Sequence, residues 1–229
     1  MNKIIELTWL KFLGVKGPEN IKSLTIIELL ISMIIVSLMV VSFYSLETYG
    51  HKEVITADRR AKIQNSLAYC LEHMSKYVQQ ANGASNRKPI QYRPGPGPVG
   101  ANGFRVYIDL RNPQTPSVLT DDGWIDYTLA ANTLTATCTA NGGNCPFAAE
   151  ALTDRIIAGV VGGSVMPVSP ASGFYVLVNS EGNSVDVGLV GRYTPTEAVS
   201  KGGALITPDE INPQEEMKTR LSCNNISMN

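Results

Sequence analysis

One carboxylate lies where a carboxylate is costly. Leu24 to Tyr44 reads LTIIELLISMIIVSLMVVSFY, and the single charged side chain in these 21 residues is Glu28. In hydrocarbon an ionised carboxylate needs a partner or a route to the headgroups, so Glu28 is either a pairing group or a helix-end residue that snorkels. The other chemistry-bearing residues are few. Four cysteines, Cys70, Cys138, Cys145 and Cys223, all lie beyond the apolar run. An even number on an exported segment points to two disulfides; retention in a reducing compartment would leave four buried thiols. Zinc would need CxxC spacings or nearby histidines, and the only histidines are His51 and His73. Both fall at solvent-type positions of a helical stretch, as surface residues rather than general bases. Asp121-Asp122-Gly123 lacks the spaced oxygen ligands of a calcium loop and reads as a turn before Trp124. GxSxG, HExxH, Walker A and GxGxxG motifs are all missing. The expectation is a protein with no catalytic residues, no metal and no cofactor.

The elements that must position these groups begin with one helix. A span of about 20 apolar residues matches the hydrocarbon thickness of a bilayer, and no Pro or Gly interrupts Leu24–Tyr44. Lys16 and Lys22 precede it, which favours a cytoplasmic N-terminus and export of the chain beyond the span. The run is too long for an ordinary secretory signal, and helical residues come after it instead of a small-residue cleavage site. From Ser45 to Ala81 there is no proline and one glycine, Gly50. Ile63, Leu67, Cys70, Leu71, Met74, Val78 and Ala81 share one helical face, and Asn82-Gly83 supplies a stop. The prediction is helix from Leu24 to Ala81, about 87 Å long at 1.5 Å per residue. Its first half is apolar all round and suits lipid or a bundle of like helices. Its second half is apolar on one side and suits a globular domain of the same chain. A coiled-coil stalk is the competing reading of that second half, but the offsets are not strict heptads.

The stretch Lys22-Ser23-Leu24-Thr25-Ile26-Ile27-Glu28-Leu29-Leu30-Ile31 resembles the prepilin processing site of type IV pilins and type II secretion pseudopilins. That resemblance implies cleavage between Ser23 and Leu24 by a prepilin peptidase and N-methylation of Leu24. It also makes Glu28 the fifth mature residue, a carboxylate that pairs during assembly with the α-amine of a neighbouring subunit. The stretch departs from the family at two positions, with Ser23 for the usual Gly and Leu24 for the usual Phe. The implied division is a leader 1–23, a transmembrane half 24–44, an amphipathic half 45–82 and a globular head 83–229. The implied fold is α+β, a pilin-like lollipop with the long helix packed on an antiparallel sheet.

Within the head, Asn82 to Asn102 reads as a loop around Pro94-Gly95-Pro96-Gly97-Pro98. Strand-like runs come next at Phe104–Asp109, Trp124–Leu129, Thr133–Cys138, Gly173–Asn179 and Ser184–Arg192, with hairpins across Ala130-Ala131-Asn132 and Asn179 to Asn183. Ala148 to Val161 reads as a short helix running into a strand. Cys138 and Cys145 bracket a flexible loop and are expected to pair, leaving Cys70 with Cys223; four cysteines allow three pairings. Asp126-Tyr127, Thr133-Leu134, Glu150-Ala151-Leu152 and Thr219-Arg220-Leu221 with Asn224-Asn225 resemble the minor pilin W and pseudopilin J group, in which a late strand ends the domain.

Charge narrows the partners. Net charge is −1; the first 23 residues carry four lysines against two glutamates, +2, which leaves −3 for the remainder. That balance is not the basic footprint of a nucleic-acid binder. Arg87, Lys88 and Arg93 with Tyr92 form the one local basic cluster. The resemblance implies a subunit of the bacterial inner membrane, single-pass with a periplasmic head. Its partners would be the peptidase, a major pilin, other minor pilins or pseudopilins and the inner-membrane assembly platform. A tip adhesin or DNA-uptake module on the same anchor, and an ordinary uncut single-span protein, are the competing classes.

Overall fold

The computed structural model describes residues 25–83, 87–93, 103–110, 118, 120, 122–141, 144–157, 173–198 and 212–224. Among these the layout is α+β: one long helix, α1 (Ile26–Gln79), and eight strands. Contacts divide the chain into two units at His51 and Lys52.

In the first unit every described residue of α1 is exposed. Ile31, Ile34, Ile35, Leu38, Val41 and Phe43 are each about half exposed or more. A helix that is apolar on all sides with nothing covering it cannot rest in water; it needs lipid or other apolar helices. By length and composition this helix can cross a membrane. The span's hydroxyls comply with that solvent. Ser32, Ser37, Ser42 and Ser45 each donate to the carbonyl four residues earlier, at 2.7–2.9 Å, so none brings an unsatisfied donor into hydrocarbon.

In the second unit the rest of α1 buries one face. Ile63, Leu67, Cys70, Met74 and Val78 are fully covered, as the 3–4 residue periodicity requires. Tyr77 joins them, and Leu71 is only half-buried. Five strands form an antiparallel meander: β1 (Ile90–Tyr92), β2 (Gly103–Ile108), β3 (Gly123–Ala130), β4 (Thr133–Thr139) and β5 (Ala149–Thr153). Alternation puts Phe104, Val106, Ile125, Tyr127, Leu134 and Ala136 into the core. A second sheet contains β6 (Phe174–Val178), β7 (Ser184–Arg192) and β8 (Gln214–Ser222), with β7 central. It adds Phe174, Val176, Val185, Val187, Leu189 and Leu221 to the same core. The sheets meet at their edges: Ile90 N–H donates to the Gly182 carbonyl, and Val178 N–H to the Tyr92 hydroxyl, each at 3.0 Å.

The two hairpins occur where the turn residues place them. Ala131 adopts φ 51° in the β3–β4 turn, a left-handed conformation unusual for alanine. Two expectations are corrected. Ile90–Tyr92 is a strand within the segment read as loop. Residues 149–153 form an edge strand rather than a helix, because β4 offers a free edge and the Cys138–Cys145 bridge returns the chain beside it. Cys138 N–H donates to the Ala148 carbonyl, and Thr137 pairs with Ala149. Pro94 to Pro98 and Ala158 to Val161 lie outside the described residues.

The cysteines divide unevenly. Cys138 and Cys145 are bonded, with Cα atoms 5.9 Å apart. Cys70 and Cys223 are free buried thiols, which corrects the expected second bridge. Strand register supplies the reason. On β7, Gly191 abuts Ile63 and Leu67 of α1, while Gly182, just before the strand, abuts Lys88 and Ile90, beyond the helix C-terminus. Asn82 N–H donates to the Tyr107 carbonyl beside that end. Cys223 N–H donates to the Asn183 carbonyl at that same end of β7, whereas Cys70 lies one turn beyond Leu67 on α1; bridged Cα atoms lie within about 7 Å. Burial pushes the Cys70 thiol up to about 12 and the Cys223 thiol upward too. The expected result is two alkylated cysteines per chain after non-reducing denaturation and almost none in the native protein, read by intact mass. Zero alkylation after denaturation would place a second bridge in the molecule.

Candidate functional site

The N-terminal end of α1 carries Glu28. Its Oε2 accepts from the Thr25 backbone N–H at 2.9 Å and from the Thr25 hydroxyl at 3.0 Å. In return the Glu28 N–H reaches the Thr25 Oγ1 at 3.4 Å and the Thr25 carbonyl at 3.0 Å. This is a reciprocal capping box: the carboxylate occupies an orphan backbone donor and sits at the positive end of the helix dipole. Thr25 is thus a site residue that sequence reasoning missed, although the Thr-x-x-Glu spacing is a local signal for it. No Lys or Arg occurs between Thr25 and Lys52, so the first turn has no cation of its own helix to pair with. Ser23 and Leu24, the expected cleavage and methylation positions, lie outside the described residues.

The second unit holds a polar cluster between α1, β3 and β5. Contrary to the solvent-facing expectation, the His73 side chain is 8% exposed. Its ring packs against Tyr77, Phe147 and Tyr127, with centroids 4.9, 5.3 and 5.8 Å away. Nδ1 lies 3.1 Å from the Tyr127 hydroxyl, and Nε2 lies 3.6 Å from Glu150 Oε2. The Tyr69 hydroxyl donates to the other Glu150 oxygen at 2.6 Å. Burial holds His73 below the usual imidazole range, with Glu150 opposing. Burial lifts Tyr127 well above the phenol range; the hydrogen bond to Glu150 lifts Tyr69. Tyr69, His73 and Tyr77 recur every four residues, which could have marked this stripe in the sequence. Their partners are 54 to 81 residues distant and carry no local signal. His51, by contrast, is exposed as expected.

The basic cluster of the loop is engaged internally. Arg87 pairs with Asp122, a side chain fully shielded from solvent, and its guanidinium stacks over Tyr107 at 4.6 Å. Lys88 donates to the Ser180 carbonyl. Arg93 approaches Asp126 at 3.9 Å, behind the bidentate Arg105–Asp126 pair at 2.7 and 2.8 Å. Tyr92 is tied to β6. These groups join the strands, while Lys88 and Arg93 remain exposed. Asp122, expected in a turn before Trp124, is a buried ion-pair partner; Asp121 lies outside the described residues. Replacing Asp122 with Ala should cost about 3–5 kcal/mol, since it leaves the Arg87 charge largely buried without this carboxylate; urea unfolding of the detergent-solubilised protein measures it.

Among the described residues no group of three or more His, Cys, Asp or Glu side chains is placed to hold a metal ion. Compared with protein-family models, curated proteins and solved structures, the chain matches none.

Proposed function

We propose that this chain is a structural minor pilin or pseudopilin. In this reading a prepilin peptidase cuts it between Ser23 and Leu24, and it helps initiate, cap or build a type IV pilus or a type II secretion pseudopilus. The observation that carries the reading is the pairing, in one helix, of an uncovered apolar segment with a segment buried on an α+β domain. A plain anchor needs only the first half to be apolar. Continuing the same helix into a domain core ties span and head through one element, as a subunit packed through its helices requires. Glu28 at the start of the span adds a charge to which a neighbouring subunit's α-amine would supply the counter-charge. The head would occupy the periplasm before incorporation. Its neighbours would be the major pilin, other minor pilins or pseudopilins and the inner-membrane assembly platform.

Intact mass and N-terminal sequencing after co-expression with an active prepilin peptidase test this. A chain beginning at N-methylated Leu24 is the expected result. A chain still carrying residues 1–23, under conditions in which a control prepilin is processed, would overturn it.

A further inference from the structure

We propose that the cluster at His73 is an acid-sensitive joint that holds edge strand β5 to helix α1 when the imidazole is neutral and loosens that strand when the ring is protonated. This goes beyond the filament reading and does not depend on it.

The argument begins with where β5 is attached. One of its edges pairs with β4 between Thr137↔Ala149 and Leu134↔Thr153, and a register shift interrupts that ladder between Leu134 and Thr135. A short, irregular edge strand has weak backbone support of its own. Leu152 joins the core, and just beyond the strand the Arg155 carbonyl accepts from Arg192 N–H while Ile156 N–H donates to the Asn132 carbonyl; towards α1 the contacts of β5 run through side chains. At one end Thr153 meets Ser66, hydroxyl oxygens 2.6 Å apart. At the other, Glu150 bridges Tyr69 and His73, while Phe147 lies against His73 and Tyr77.

His73 is the only group of this cluster whose ordinary titration range lies near neutrality. The charged and titratable groups facing it are Tyr69, Lys76 and Tyr77 from α1, Tyr127 from β3 and Glu150 beside it on β5. Burial disfavours the charged ring most, Lys76 opposes it by charge, and Glu150 favours it; the aromatic rings around it act by keeping water out. The Nε2–Glu150 separation of 3.6 Å is long for a charge-assisted hydrogen bond, and Glu150 is already committed to Tyr69. Desolvation therefore prevails, in agreement with the lowered imidazole affinity for protons. The sign is then fixed: the unfolded or opened chain binds the proton more readily than the closed one. Stability of the joint is complete above the ordinary imidazole range and declines as pH falls through and below it. A water-filled gap beside the ring relieves the penalty, and the cheapest gap is between α1 and β5, because Tyr127 is held within the sheet.

Hydrogen–deuterium exchange of the full chain in detergent micelles, followed by mass spectrometry, tests this. Wild type should lose protection several-fold across residues 147–153 on going from about pH 7.5 to about pH 5, after correction for intrinsic exchange, while β7 keeps its protection. His73→Phe, which keeps an aromatic ring, and His73→Gln should both abolish the pH dependence; His51→Gln should not change it. Glu150→Gln should enlarge the loss, since it removes the anion that faces the ring. Unchanged protection of 147–153 in wild type, or the same acid loss in a folded His73 variant, overturns the proposal. Should neither His73 variant fold, a loss that Glu150→Gln diminishes rather than enlarges also overturns it. Such a result would mean that the protonated ring grips Glu150 and tightens the joint.

Discussion

Gly103→Ala should lower the melting temperature of the head by about 10 °C, a large effect for one added methyl. Gly103 opens β2 with φ 130°, a region that L side chains scarcely enter. A Cβ there would be driven into the backbone carbonyl of Tyr127 on β3, across a register that pairs Gly103 with Thr128. Neither atom can retreat: the Gly103 carbonyl accepts from Arg93 N–H at 3.2 Å, and Tyr127 is locked in the core by its fully buried ring. Backbone strain of about 1–3 kcal/mol adds to displacement of a ladder, for a total of about 3–5 kcal/mol. For a domain this size each kcal/mol shifts the midpoint by about 2–4 °C. Gly50→Ala supplies the contrast. Nothing lies within 4 Å of a Cβ at Gly50 in mid-helix, so alanine there should stabilise by about 0.5–1 kcal/mol. Circular dichroism melts of both variants, in the same detergent, should move in opposite directions. A Gly103→Ala protein that melts with wild type would mean that the β2–β3 register slips to accommodate the methyl.

Legibility in the sequence tracks the range of the physics. The helix was legible because its information is local: an unbroken apolar run, then Ile63, Leu67, Cys70, Met74 and Val78 at helical spacing, then Asn82-Gly83. The β3–β4 and β6–β7 hairpins were legible because each turn and its two strands are contiguous. Strand β5 was not, because Ala149 to Thr153 is short and gains its conformation from β4 and from the Cys138–Cys145 bridge rather than from its own residues. β1 is three residues long and exists as an edge for β2. The Cys138–Cys145 bridge was legible from the loop it brackets, whereas the expected Cys70–Cys223 pair failed for a related reason. Counting cysteines gives combinations, while the register of β7 on α1 decides which pair can meet. The candidate site divides likewise: Glu28 announces itself as a lone charge among apolar residues, whereas His73 gains its character from Tyr127 and Glu150, contacts made only when the sheet closes over the helix.

Under the proposed function, Glu28→Gln separates the two roles of Glu28, and the expected result is loss of assembly without loss of the helix. As a capping group the carboxylate accepts from Thr25, and a glutamine oxygen can accept the same bond. The cap contributes about 0.5–2 kcal/mol, so its modest weakening leaves α1 intact. As one half of a charge pair, Glu28 has no substitute: Gln offers no charge to a neighbour's α-amine in a medium where an unpaired charge is costly. Under the proposed function, Glu28→Gln and Glu28→Ala should both be processed and inserted normally. Both should be recovered in sheared filaments, or in cross-linked complexes with the major subunit, at about a tenth of the wild-type amount or less, the loss that a charge-pair deficit of about 1.4 kcal/mol or more produces. Removing the carboxylate also removes its cost in hydrocarbon, so membrane insertion should be unchanged or improved. Should Glu28→Gln assemble like wild type while Glu28→Ala fails, the capping box would be the whole function of Glu28, and no intersubunit charge pair would be needed at this helix end.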